Sequence, residues 1–107
     1  MTDREEKVGN IIKRLASEFL SRESNRTSLI TVTDVRMQDH ERSATVLFTV
    51  FPETQSTVAL AFAKRKRSEF REHFKKNTRL KFIPRFDFEI DKGEKFRQRI
   101  DELLREG

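Results

Sequence analysis

In RLKFIPRFDFEID, residues 79–91, the residues Leu80, Phe82, Pro84, Phe86, Phe88 and Ile90 fall on one parity. Arg79, Lys81, Ile83, Arg85, Asp87, Glu89 and Asp91 fall on the other. Period-two alternation marks a strand with one buried face. Residues 79–90 are therefore expected to form a strand that turns Phe82, Phe86 and Phe88 into a core. Pro84 has no N–H to give a ladder, so this strand belongs at a sheet edge, with the missing donor pointing outward. A proline there also blunts pairing between sheets. The polar face changes sign along its length, from cations at the start to carboxylates at the end.

Upstream, Val8, Ile11, Ile12, Leu15, Ala16, Phe19 and Leu20 recur at helical spacing and make one apolar stripe. The spacing predicts a helix from Asp3 to Ser21, capped through Thr2 or Asp3, and SRESNRTS reads as a loop. LITVTDVRM (29–37) and ATVLFTVF (44–51) are rich in β-branched residues and pair as an antiparallel hairpin across QDHERS. The first of these strands carries apolar residues on both parities, which suits a central strand.

Pro52 ends the second strand, and Thr54 or Ser56 is positioned to cap a helix. Val58, Ala59 and Phe62 form one apolar group, Phe70 and Phe74 another, and KRKRSE stands between them. Ser68 followed by Glu69 resembles a fresh N-cap. Two helices joined near residues 64–68 are expected rather than one continuous helix, although no Gly or Pro enforces the break. Asp91-Lys92-Gly93 reads as a turn, and Phe96, Ile100, Leu103 and Leu104 mark a short closing helix. The order is α-β-β-α-α-β-α. If the two middle helices reverse the chain twice, the third strand runs parallel to the first, and the mixed sheet has the order 2-1-3.

The chain of 107 residues is one domain's worth, spanning 1–107, and large enough for a modest core. It has no cysteine, which excludes disulfides, thiolate catalysis and cysteine-ligated metal. The N-terminal MTDREEKVGN lacks the apolar stretch of a signal peptide. The longest apolar run, Val58 to Ala63, is too short to span a bilayer. A soluble, cytoplasmic chain is expected.

The net charge of +5 is concentrated in one segment. Residues 64–85 hold ten Lys/Arg and two Glu, a local net of +8, while the flanking segments are slightly acidic. A focused basic segment points to a polyanionic partner. Lys64, Arg65, Lys66, Arg67, Arg71, Lys75, Lys76, Arg79, Lys81 and Arg85 are the candidate RNA-binding residues. Long cationic side chains suit phosphate, and Arg holds two oxygens in a fork. A solvated helix face is the plainer alternative, and the charge imbalance argues against it.

There is no Trp or Tyr, and most of the ten Phe lie on apolar stripes. The aromatics are therefore read as core, and RNA as recognised by shape and backbone rather than by base stacking. Asp87, Glu89 and Asp91 form a carboxylate row that invites comparison with an Mg²⁺-dependent ribonuclease. No second carboxylate pair or histidine pattern completes it, and the solvated side of an edge strand explains it better. His40 and His73 stand alone, and no P-loop, nucleophile elbow or zinc spacing occurs. No enzyme, metal, cofactor, small-molecule substrate or membrane contact is expected, and the chain is read as a monomer.

Taken in order, KVGNIIKRLASEFLSRE, ITVTDVRM with ATVLFTVF, RLKFIPRFDFEID and RIDELL resemble the ribosome-binding factor A family over nearly the whole chain. The resemblance implies an α+β, type II KH-like fold, α-β-β-α-α-β, without the GxxG loop of ordinary KH domains. It also implies a partner and a task. The partner is the free small ribosomal subunit with its 16S rRNA, and the task is late maturation and 5′-end processing. A KH-like adaptor working outside the ribosome is the alternative. Two departures stand out: Lys66-Arg67-Ser68 replaces the family's Ala-x-Gly kink, and Gln38-Asp39-His40-Glu41 replaces its Ser-x-Asp-Leu. Both mark a divergent member.

Overall fold

The computed structural model describes residues 3–23 and 28–106, with the side chains of residues 94–96, 98 and 106 outside that description. Thr2 as a cap and Phe96 in the closing apolar row thus lie outside the described residues. Helix α1 (Asp3–Glu23) opens with Asp3, Glu5 and Glu6 in its first turn, where the helix dipole favours negative charge. It buries Val8, Ile12, Leu15, Ala16, Phe19 and Leu20, the expected stripe. Strands β1 (Leu29–Gln38) and β2 (Ser43–Phe51) form the expected antiparallel hairpin. In the connecting turn Asp39, His40 and Glu41 have φ of 52, 52 and 68°. This left-handed region admits Asp and His more readily than Glu.

A 3-10 turn (Glu53–Gln55) leads into helices α2 (Ser56–Arg65) and α3 (Arg67–Asn77). The expected break is therefore present, at Lys66. Its capping differs from expectation: Gln55 and Lys66 occupy the N-cap positions and neither makes a side-chain cap bond. Thr54 and Ser56 do not cap α2, and Ser68 lies inside α3. Strand β3 spans Arg85–Ile90, and helix α4 (Lys92–Glu106) starts where a turn was expected.

The sheet order is β1-β2-β3, with β3 parallel to β2. This corrects the order 2-1-3. The error was to treat the α2–α3 joint as a chain reversal. Lys66 N–H still reaches the carbonyls of Phe62 (3.2 Å) and Ala63 (3.1 Å), and its own carbonyl accepts from Phe70 N–H at 2.8 Å. The hydrogen-bond ladder passes through the joint, so the two helices form one kinked crossover. One crossover returns the chain parallel to the strand it left.

β1 is consequently an edge strand, not the central one. Its mixed parity comes from a bulge: the register shifts between Val32, opposite Phe48, and Asp34, opposite Leu47. Thr33 is the extra residue, so Ile30 and Val32 before it and Val35 after it all turn to the helices.

β3 is also shorter than the alternation suggested. Ser43, the first residue of β2, faces Arg85, the first of β3. Residues 79–84 thus run past the hairpin turn, where β2 offers them no residue to pair with. Chain direction there follows packing instead: Leu80 and Ile83 lie against the core, and a bend at Lys81 and Phe82 turns Phe82 out to 78% exposure. The expected burial of Phe82 is corrected, while Phe86 and Phe88 are buried as expected. Arg85 N–H and Asp91 N–H donate to the carbonyls of Arg42 and Phe48. The intervening even-numbered amides therefore face the free edge. Pro84, buried just before the strand, would have pointed its missing donor outward.

The core is a run of phenylalanines between helices and sheet. Phe70 lies 4.8 Å from Phe86, 5.8 Å from Phe88, 5.4 Å from Phe19 and 6.1 Å from Phe74, all tilted or edge-on. Such offsets suit the aromatic quadrupole. Phe74 sits 5.1 Å from Phe86, which places α3 antiparallel along β3. On α4, Ile100, Leu103 and Leu104 are exposed and do not join this core.

Candidate nucleic-acid interface

The α2–α3 kink sets the KRKR segment at a corner above β3. At Lys66 the backbone has φ −94° and ψ 6°, a conformation open to any residue. The kink needs no glycine, so the loss of the Ala-x-Gly pattern leaves the bend intact and makes it basic.

Asp87 lies under that corner. Its Oδ1 accepts from Lys64 Nζ at 2.9 Å, from Arg67 Nη1 at 3.3 Å and from Phe88 N–H at 2.8 Å. Arg67 Nε also donates to the Lys64 carbonyl at 3.0 Å. Partial burial alone would raise the Asp87 pKa, but the Lys64 and Phe88 hydrogen bonds and the two cations outweigh it, and the pKa is lowered from 3.8. Asp87, read from the sequence as one of a solvated carboxylate row, instead anchors the corner.

A depressed carboxylate pKa contributes stability that is present above its unfolded value and lost as pH falls through the folded one. Asp87→Asn should therefore melt below the wild type at neutral pH, by less than about 1 kcal/mol because the pair is partly solvated. Below pH 3.8 the two melting curves should converge. A gap that persists in acid would show that the carboxylate charge is not what matters.

The remaining cations divide into two groups. Lys66 Nζ pairs with Glu69 at 3.2 Å and lies 5.9 Å from the centre of the Phe62 ring, and Lys75 approaches Glu72 at 3.9 Å. Arg65, Arg71, Lys76, Arg79, Lys81 and Arg85 have no ion pair among the described residues. Arg85 precedes Asp87 by two on the same strand face, about 6–7 Å away along β3. Because α3 runs back along β3, Lys75 and Lys76 at its end lead into Arg79 and Lys81. The candidates thus run from the end of α2 along α3 to the approach to β3, with Lys64 and Arg67 held by Asp87, whereas Arg65 lines a separate cleft with Glu23, Ser28 and Ile30.

The carboxylate row does not survive as a unit. Asp87 faces two cations, and Asp91 Oδ2 accepts from Thr33 Oγ1. His73 packs 5.6 Å from Phe19 and lies 3.4 Å from Arg22 Nη2.

Sequence reasoning missed a cleft of about 410 Å³ where the hairpin turn, the start of α1 and residues 80–84 meet. Arg4, His40, Arg42 and Phe82 line it. Arg4 and Arg42 lie in the slightly acidic first part of the chain, so a tally by segment passes over them. Only the Ser43–Arg85 register brings the turn beside Lys81.

Residues 4–104 match the family model for ribosome-binding factor A. A ribosome-binding factor A of Geobacter sulfurreducens is 34% identical over 109 residues, covering 99% of this chain and 92% of the relative. The chain belongs to the ribosome-binding factor A family. Its fold agrees with that of ribosome-binding factor A from Thermus thermophilus, with a TM-score of 0.69 at 21% identity over 78% of this chain and 92% of that one. It is also similar to a Thermus thermophilus ribosome-binding factor A homology model fitted into a cryo-EM map of a 30S complex. There the TM-score is 0.64 at 22% identity, over 74% of this chain and 86% of that one. The four helices and three-stranded mixed sheet are the α+β, KH-like arrangement of these ribosome-binding factor A structures. Among the described residues no helix is long and apolar enough to cross a membrane.

Proposed function

We propose that this protein is a noncatalytic assembly factor of the small ribosomal subunit. It binds the free subunit and its 16S rRNA in the cytoplasm during late maturation and 5′-end processing. The family match over residues 4–104 carries this reading. The fitting of a similar protein into a 30S complex supports it. So does the net +8 of residues 64–85, six of whose ten cations have no ion pair among the described residues and offer phosphate contacts. Arg65, Arg71, Lys76, Arg79, Lys81 and Arg85 are the strongest candidates. Lys64, Lys66, Arg67 and Lys75 must first give up or share a carboxylate.

Sedimentation tests the reading. The protein should travel with free small subunits and not with assembled ribosomes, and precursor rRNA mixed with it and Mg²⁺ should stay intact. Binding to RNA without preference for the small subunit would favour the adaptor alternative. Mg²⁺-dependent cleavage would refute the noncatalytic role.

A further inference from the structure

We propose that Phe82 is a stacking platform for one unpaired nucleobase, seated in the cleft beside the hairpin turn. The inference deepens the rRNA-binding reading and rests on it. Phe82 is among the most exposed large apolar side chains of the described residues, and the core does not require it, since Leu80 and Ile83 on either side pack inward. The cleft is floored by Val8, Leu80 and Pro84 and rimmed by His40, Arg42 and Lys81. Among its described lining residues the one carboxylate, Glu41, is taken by Arg4 at 3.4 Å.

An aromatic face beside unpaired cations is the combination that single-stranded RNA uses: a base stacks while its flanking phosphates meet Lys or Arg. Stacking tolerates any base, because every base has a π-face. Lys81, Arg42 and the nearby Arg85 supply the charge. The other highly exposed phenylalanine among the described residues provides the contrast. Phe51, 74% exposed, lines a cleft with Glu53, which Arg99 pairs at 3.4 Å, and with Glu102, and its described lining residues include no Lys or Arg to meet a phosphate. Charge complementarity thus selects the Phe82 cleft for RNA.

The test measures binding of an unstructured RNA of about ten nucleotides to the full chain, alongside binding to free small subunits. Phe82→Leu should weaken oligonucleotide binding about tenfold with an unchanged melting temperature. The salt dependence should also be unchanged, because no cation is lost. Phe82→Tyr should keep wild-type affinity, and Lys81→Gln should lower the salt slope by about 0.7. The stacking site is overturned by any of three results. These are a wild type that does not bind the oligonucleotide, a Leu variant that binds as well as Phe, and a Tyr variant that binds as poorly as Leu. It is equally overturned if Phe82→Leu weakens small-subunit binding alone, which would indicate docking on protein. If the oligonucleotide results hold while small subunits go unbound, the stacking site stands and the assembly role fails.

Discussion

Phe70→Ala is expected to lower stability by about 3–5 kcal/mol. Phe70 is fully buried and meets Phe19, Phe74, Phe86 and Phe88, so its removal leaves a hole walled by four rings. Those rings belong to α1, α3 and β3, elements whose positions are set by hydrogen-bonded backbone, and they have little room to collapse inward. The loss is a large share of the roughly 5–15 kcal/mol that holds a small domain together. Phe82→Ala, the same truncation on an exposed ring, should change stability by no more than about 0.5 kcal/mol. Urea or thermal unfolding of the pair measures the contrast. A Phe70→Ala protein as stable as the wild type would mean that the ring run does not form the core. A destabilised Phe82→Ala would mean that residues 79–84 pack inward after all. The consequence reaches the interface, because Phe70 fixes α3 on β3 and so holds Lys64 and Arg67 over Asp87.

The elements themselves were legible because each is a local pattern. The α1 stripe, the β-branched hairpin strands and the paired Phe70/Phe74 group all appear where periodicity places them. The topology was not legible, since it turned on whether Lys66 marks a kink or a reversal. That depends on a hydrogen-bond ladder that spacing does not reveal. Phe82 was misread for a related reason. Alternation continues through residues 79–84, but a strand needs a neighbour, and β2 begins only opposite Arg85. The same register moved an aromatic residue from the core list to the surface, which the composition argument against stacking had not allowed for. In β1 the mixed parity was a real signal with two physical sources, a doubly buried strand or a bulge, and Thr33 is the bulge. At the interface, the basic segment was plain from charge counting. The Asp87 anchor was not, because it joins residues 23 and 20 positions apart through a turn of the fold.

That anchor sets the expected outcome of charge removal. Each phosphate neutralised by the protein contributes about 0.7–0.9 to the slope of log affinity against log salt. Replacing Arg79, Lys81 and Arg85 with Gln removes three cations that have no ion pair among the described residues, so the slope should fall by about two to three. Replacing Lys64, Arg65, Lys66 and Arg67 with Gln removes four charges but should lower the slope by only about one to two. Lys64 and Arg67 share Asp87, Lys66 pairs with Glu69, and Arg65 has no ion pair among the described residues. Asp87→Asn separates the effects: it frees Lys64 and Arg67, and if they reach rRNA the slope should steepen by about one to two at neutral pH. Lys92, on the far side of the β3 carboxylates, serves as the control, and Lys92→Gln should leave the slope unchanged. Titration of free small subunits over a range of salt reads all four variants. Should the KRKR variant lose more slope than the Arg79/Lys81/Arg85 variant, the corner must release Asp87 on binding and become the principal phosphate contact. Should both folded variants keep the wild-type slope, the basic segment is a solvated face and the rRNA contact lies elsewhere.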